Sequence, residues 1–383
     1  MDKPESKAAA TAKSPAGLEG VVAAESSIGD VDGINGVLIY QGYNIHDLAE
    51  HSTFEEVIYL LWHGRLPKRE ELEDFRRTLS ENQTIPAEVS EMIGRFPRDA
   101  EPMDSLRTAV SALGFHDSQS RDLSREGALR TALKLTAQFP VIVATIERLR
   151  NGLEPVAPKD GLSLAANFLY MLKGEEPSER EARIMDVCLI LHADHELNAS
   201  TFTARVVAGT LADMYGAVTA AIAALSGPLH GGANTNVMKM LLEIEKPERA
   251  EEWLREALAQ KKKVMGFGHR VYRTEDPRST WLRKFSKEMG EARGQTQWNA
   301  ILETLREVMF REKKLYPNVD YYSGSAYYLM GIPLDLFTPI FAVSRISGWT
   351  GHILEQYANN RLIRPRAEYT GPRDLSYVPI DER

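Results

Sequence analysis

The sequence predicts a mainly α protein, and three observations carry that prediction. From Ile45 to about Asn360, apolar residues recur at helical spacing in segment after segment. Runs with the character of a strand are few and lie near the N-terminus. Stop signals close the longer segments, at Gly64, at Ser226-Gly227-Pro228 and at Gly331-Ile332-Pro333.

The elements follow in order. Residues 1–16 are rich in Lys, Ala, Ser and Pro and lack the apolar core of a secretory signal, so they read as a disordered tail. Asp32-Gly33 and Asn35-Gly36 are turn signals beside a strand at Val37–Tyr40. Ser52-Thr53-Phe54-Glu55 has the form of a capping box and opens an apolar helix that ends near Gly64. Further helices are expected at 69–81, 102–114, 122–150, 161–173, 178–195, 199–225 and 233–244. Pro140 should kink or split the one at 122–150, because it has no N–H and its ring crowds the preceding turn. The remaining helices are expected at 248–261, 277–290, 295–314, 322–331, 335–347 and 350–360.

Composition narrows the function classes. With 383 residues, 43% of them hydrophobic, the chain is long enough for two domains. A net charge of −8 argues against a general nucleic-acid binder and leaves room for a local basic pocket. The single cysteine, Cys188, excludes an intrachain disulfide and fits a reducing, cytoplasmic setting; its apolar surroundings in MDVCLILH read as core. The strongest apolar run, Pro140–Ile146, falls far short of the ~18 residues that span a bilayer, so no membrane span is expected.

Four segments and two arginines carry candidate chemistry. In HADHELNAS (192–200), His192 and His195 are three apart, as on one helical face. They read either as hydrogen-bonded histidines at a helix end or as a pair sharing a metal, although the pattern HExxH is absent. In GPLHGGAN (227–234), His230 either sits in a connecting turn or uses its glycines to let backbone approach a ligand. In GFGHRVYRTEDPR (266–278), Gly266 and Gly268 hint at phosphate contact, but Val271 stands where a dinucleotide fingerprint needs its third glycine. Asp276-Pro277 reads as a helix start, and Arg278 is either a surface arginine or a planar fork for a carboxylate. In PNVDYYSG (317–324), Asp320 either caps a helix or acts as a base. Arg345 in FAVSRISGW and Arg364 in RLIRPR are further carboxylate binders or lone arginines.

In this order and these local sequences, the segments resemble the citrate synthase family from about Gly17 to Arg366. The resemblance implies a two-domain, mostly helical fold. Its large domain would be 17–231 with 332–383, and its small mobile domain 232–331. It implies a homodimer in which Arg364 enters the partner's site, with Arg366 a nearby competitor for that place. Oxaloacetate would be held by His195, Arg278, Arg345 and Arg364. Asp320 would take a proton from the methyl group of acetyl-CoA, His230 would hydrogen-bond the acetyl carbonyl, and His269 would protonate the ketone oxygen. His192 and Asn198 would support the site, with Asp194 and Glu196 orienting the helix and the imidazoles. Coenzyme A would meet Arg273 through a phosphate and the backbone of Val264, Met265 and Gly266 through its adenine; Lys313 and Lys314 are further phosphate candidates. No metal or redox cofactor is implied, since acetyl-CoA is a substrate.

The nearest alternative is 2-methylcitrate synthase, which uses propionyl-CoA on the same scaffold; a pocket gains only ~1–3 kcal/mol from the one extra methyl. A metal-dependent hydrolase built on His192, His195, His230 and His269, and a non-catalytic helical interaction protein, are alternatives of other classes.

Overall fold

The computed structural model describes residues 16–18 and 20–383, so the expected tail lies outside the described residues except for Ala16. After a single 3-10 turn at Ala16–Leu18, the chain forms a small antiparallel sheet. Strand β1 (Gly29–Asp32) pairs with β2 (Val37–Tyr40), Gly29 opposite Tyr40 and Asp32 opposite Val37; β3 (Tyr43–Asn44) lies on the other edge of β2. The Asp32 carboxylate accepts the backbone N–H groups of Ile34 and Asn35 at 3.0 and 2.9 Å, which sets the turn. β1 is missing from the sequence reading because GDVD is half charged.

Sixteen α-helices follow among the described residues. They are α1 (Ile45–His51), α2 (Phe54–His63), α3 (Arg69–Glu81), α4 (Ala87–Gly94), α5 (Pro102–Leu113), α6 (Arg125–Arg150), α7 (Leu164–Lys173) and α8 (Glu179–His192). Then come α9 (Ala199–Ala208), α10 (Met214–Leu225), α11 (Ala233–Ile244), α12 (Ala250–Ala259), α13 (Pro277–Arg293), α14 (Gln297–Lys313), α15 (Val319–Leu329) and α16 (Phe337–Ala358). None is long and apolar enough to cross a membrane.

Several expectations need correction. The capping box sits one residue later than Ser52-Glu55: Thr53 donates its N–H and hydroxyl to Glu56 at 2.8 and 2.9 Å. Ser52 closes α1 through the carbonyl of Leu48, and Glu55 is buried, accepting the Leu164 N–H at the start of α7. Pro140 does not split α6, which runs unbroken through it. The apolar surface that α6 buries against α16 and α7 outweighs one missing hydrogen bond. The helix expected at 199–225 is two, α9 and α10, because Asp213 caps a fresh start through the Gly216 N–H at 2.9 Å. The two expected at 335–347 and 350–360 are one, α16. α4 escapes the sequence reading because only Val89 and Ile93 carry its apolar pattern.

α16 is the spine of the larger assembly. It packs against α2, α6, α8, α9 and α10, and Trp349 on it is the largest fully buried side chain. Ala342, Ser344, Ser347, Gly348 and Gly351 keep its surface low, so neighbours approach closely. α11 to α15 pack mainly on one another: α13 and α11 on α15, and α12 on α14. The β1–β2 turn abuts the segment before α13. Gly33 accepts the Arg273 N–H at 2.7 Å, and a Cβ on Gly33 would stand 2.2 Å from the carbonyl oxygen of Val271. Gly33→Ala should therefore force this backbone seam apart and lower the unfolding temperature, at a cost of about 1–3 kcal/mol. Gly216→Ala, where the nearest atom is 3.7 Å away, is the matched control. Equal melting of both variants would refute the seam.

Candidate active site

The HADHE segment does not present two histidines on one helical face, because α8 ends at His192 and His195 lies in the irregular stretch beyond it. His192 is fully buried. Its Nδ1 donates to the Cys188 carbonyl at 2.7 Å, and its Nε2 has no partner. Burial pushes its pKa down to about 3. His195 places Nε2 3.3 Å from the Tyr272 hydroxyl, with its ring centroid 5.2 Å from that of His269. Burial, then the positive charge of Arg278, hold it well below the usual histidine range. Asn198 caps α9, its Oδ1 accepting the Thr201 N–H at 3.1 Å.

Hydrogen bonds fix which nitrogen carries the proton on the other two histidines. His269 Nδ1 accepts the N–H groups of Val271 and Tyr272 at 3.0 and 3.2 Å, so the neutral ring carries its proton on Nε2. His230 Nε2 accepts the Ser200 N–H at 3.3 Å and lies 2.8 Å from the Ser200 hydroxyl, so its proton is on Nδ1. Burial pushes both pKa values down to about 4, helped by Arg278 at His269 and Arg345 at His230. Both rings are therefore neutral donors at physiological pH. Gly231 permits the His230 turn, since a Cβ there would stand 2.1 Å from the carbonyl oxygen of Leu225.

Two guanidinium groups lie among these rings. Arg278, in the first turn of α13, is almost fully buried and forms a fork with Asp276 at 2.9 and 2.7 Å. That uses two of its five N–H donors and leaves three to face a ligand. Arg345, on α16, is 1% exposed; its Nε donates to the His192 carbonyl at 2.7 Å and it stacks 4.7 Å over the ring of Phe341. No carboxylate pairs with Arg345 among the described residues, and burial lowers its pKa to about 10. Asp194 and Asp320 act on it only from beyond salt-bridge distance, so a buried cation with no carboxylate in contact has room for an anion from outside the chain.

Asp320 is not the cap of its helix. α15 starts at Val319, three residues earlier than expected, and its cap is Asn318, whose Oδ1 accepts the Asp320 N–H at 3.1 Å. The carboxylate is thus left for chemistry. Burial raises its pKa to about 6 against the pull of Arg278 and Arg345. Asp276 reaches the same helix through the Val319 N–H at 3.2 Å, so one carboxylate aligns both Arg278 and the start of α15.

Residues 264–268 run beside this helix start. Gly268 donates to the Tyr316 carbonyl and Asn318 to the Gly266 carbonyl, each at 2.9 Å, and the Asn318 side chain donates to the Gly268 carbonyl at 3.0 Å. Gly266 has φ +81°, and a Cβ there would stand 2.7 Å from the Tyr321 ring. Val264 is buried and Met265 half-buried. Arg273 is exposed beside the Gly33 seam, and Lys313 and Lys314 are exposed at the end of α14. Arg364 is not part of the cluster in this chain: it is exposed after α16 and lines a groove with Arg205 and Glu355. His195, His230, His269, Arg278, Asp320 and Arg345 are thus gathered, while Arg364, Lys313 and Lys314 are not. Sequence reasoning missed Tyr272, Ser200 and Asn318, each inside or beside a motif already singled out, and took Asp276 only for a helix start. Among the described residues, no three His, Cys, Asp or Glu side chains group as metal ligands would.

The family model for the citrate synthase C-terminal domain matches residues 17–366. "Citrate synthase 2" of Bacillus subtilis is 53% identical over 368 residues, covering 96% of this chain and 98% of that one. "2-methylcitrate synthase 2" of Corynebacterium glutamicum is 42% identical over 372 residues, covering 96% and 97%. The citrate synthase of Thermoplasma acidophilum, solved with carboxymethyl coenzyme A and oxaloacetate, superposes with a TM-score of 0.91 at 34% identity, covering 96% and 98%. The protein is an enzyme, a transferase of the kind that turns an acyl group into an alkyl group on transfer. The chain belongs to the citrate synthase family.

The Asp320 carboxyl titrates near 6 in the fold against an ordinary 3.8. A raised folded-state pKa means that the stability contributed by the bound proton is complete below about pH 4 and lost as pH rises through about 6. Asp320→Asn, uncharged throughout, should be more stable than the native protein at pH 8, by about 1–3 kcal/mol. That advantage should shrink as pH falls toward 4.5. Thermal melting across this range checks it, and a pH-independent difference would contradict the buried carboxylate.

Proposed function

We propose that the protein condenses acetyl-CoA with oxaloacetate and hydrolyses the product to citrate and CoA. The observation that carries this reading is Arg345, buried with no carboxylate in salt-bridge contact, together with the half-used fork of Arg278 and a carboxylate raised to about 6. Oxaloacetate brings two carboxylates to such a pair, with His195 adding a hydrogen bond. Arg364 of a second copy completes the grip in a homodimer.

Asp320 removes the methyl proton of the acetyl group, and the Nδ1–H of His230 hydrogen-bonds the oxygen of the forming enol. A neutral donor suits this step, because it stabilises growing negative charge without binding the ground-state thioester strongly. The enol carbon attacks the ketone carbon, whose oxygen takes the proton from Nε2 of His269; the proton that Asp320 took from the methyl group is returned to that ring through solvent, which restores both groups. Water then cleaves the thioester. None of these steps calls on a metal or redox cofactor.

Coenzyme A lies along Val264, Met265 and Gly266, with its phosphates toward Arg273, Lys313 and Lys314. The shared hydrogen bonds of Asn318 support this placing, since they set that loop directly against the base. Residues 232–331 act as the small domain that closes over 17–231 and 332–383, and the mutual packing of α11 to α15 supports that division. Closure excludes water until the carbon–carbon bond has formed. His192, fully buried, supports the floor through the carbonyl to which Arg345 donates. The proposed setting is the cytoplasm.

The likeness to both citrate and 2-methylcitrate synthases makes the acyl group the first question. Thiol release from the purified protein with oxaloacetate should be faster with acetyl-CoA than with propionyl-CoA. The reverse preference would move the assignment to 2-methylcitrate synthase, and no release from either would discard it. Asp320→Asn should lower kcat by about 10²–10⁴-fold and leave oxaloacetate affinity, read by calorimetry, nearly unchanged. In the native enzyme, kcat/KM should fall tenfold per pH unit below about 6, as the base becomes protonated. Normal turnover in the Asn variant would remove Asp320 from the base role.

A further inference from the structure

His195 stands on residues 193–198, which belong to neither α8 nor α9. Glu196 in this stretch has φ +54°, a conformation that a residue with a side chain adopts only when its surroundings impose it. The neighbouring Asp194 does the imposing. It is completely buried, and its Oδ2 accepts the Glu196 N–H at 3.1 Å. Its own carbonyl and N–H both engage the Tyr40 hydroxyl, at 2.8 and 3.2 Å. Its Oδ1 lies 3.1 Å from Nε2 of His352, which is also completely buried, on α16.

The far side of His352 fixes the direction of that bond. Nδ1 lies 3.2 Å from Nη1 of Arg205, a nitrogen that can only donate. Nδ1 must therefore accept, and the ring proton is on Nε2, aimed at Asp194. Arg205 is held in turn by Glu355 at 2.5 Å and by the side-chain oxygen of Gln356 at 3.0 Å. Gln356 donates to Asn360 and to the Arg361 carbonyl, at 3.0 and 3.3 Å, at the root of the segment that bears Arg364. Two glycines clear the space for the Asp194 carboxylate. A Cβ on Gly29 would stand 2.7 Å from its Oδ2, and a Cβ on Gly348 would stand 2.7 Å from its Oδ1.

We propose that Asp194, His352 and Arg205 form a buried positioning triad that holds the His195 loop and ties it to the root of the Arg364 segment. None of the three serves as a substrate ligand in the mechanism above. They act by presenting His195, so the inference rests on the reading that His195 holds oxaloacetate. A residue that orients a ground-state ligand affects KM more than kcat, whereas loss of core packing alone lowers the melting temperature and leaves KM in place.

The test compares His352→Gln with His352→Leu. The glutamine amide offers one donor to Asp194 and one acceptor to Arg205; leucine offers neither. His352→Leu should raise the KM for oxaloacetate about tenfold, with kcat and the KM for the acyl-CoA changed less than about threefold. His352→Gln should stay within about threefold of the native enzyme on all three. In the ligand-free protein, amide exchange at 193–198 should quicken in His352→Leu and not in His352→Gln, while α8 and α9 keep their protection. Arg205→Lys, which cannot join His352, Glu355 and Gln356 at once, replaces His352→Leu if that variant does not fold, with the same expected direction. An unchanged oxaloacetate KM, equal impairment of both His352 variants, or unchanged exchange at 193–198 would each overturn the triad. Absence of thiol release from the native enzyme would remove the functional reading alone, because the exchange comparison needs no substrate.

Discussion

The structure is organised around a costly arrangement: two guanidinium groups, both buried and each within electrostatic reach of the other, of which only one has a carboxylate in contact. Arg278 has Asp276, while Arg345 has a backbone carbonyl and the face of Phe341. A buried charge needs compensation from fixed dipoles or from a ligand. The chain supplies one carboxylate in contact and two, Asp194 and Asp320, that act from farther off, and leaves room for an anion. Holding two like charges together requires rigid mounts, and these are the first turn of α13 and the most enclosed part of α16.

The same pair sets the state of everything nearby. Burial and the adjacent positive charge keep His195, His230 and His269 neutral, and neutral rings have a definite donor nitrogen once the other nitrogen is occupied. Ser200 and the amides of Val271 and Tyr272 occupy those nitrogens, so the donors follow from backbone placement and need no proton uptake. Asp320 feels opposing influences: burial lifts its pKa, and the two arginines limit the rise. The outcome is a carboxylate that is ionised at neutral pH yet basic enough to remove a proton.

Much of this was legible in the sequence, and the gaps have physical causes. Helix periodicity and the Asp276-Pro277 start are local signals, and they located most helices, with the start of α13 correct to the residue and its end three residues short. His230, His269, Arg278, Asp320 and Arg345 stood out because each sits near glycines, prolines or aromatics, and His195 because it lies three residues from His192; the fold brings all six together. What failed was long-range. Nothing local tells that α16 passes Gly348 without breaking, because the reason is the carbonyl of Ala193 and the side chain of Asp194 pressed against it. The HADHE spacing suggested one helical face, but the chain leaves the helix at His192 under the constraint of Asp194 and Tyr40. Asp276 passed for an ordinary cap, since its second task, aligning Arg278 with α15, appears only when 276 and 319 meet. Arg364 has no neighbour among the six within one chain.

α16 also constrains how the sequence can change length. Along one unbroken helix it spaces Arg345, Gly348, Trp349, His352 and Gln356, each fitted to a fixed neighbour, with Gly348 and His352 sharing Asp194. One inserted residue would turn every later side chain by about 100° and advance it by about 1.5 Å. Arg345 would keep its place while His352 and Gln356 lost theirs. Drift in chain length among descendants of this protein is therefore confined to exposed connections such as 151–163, and α16 serves as a fixed ruler against which the rest of the molecule is measured.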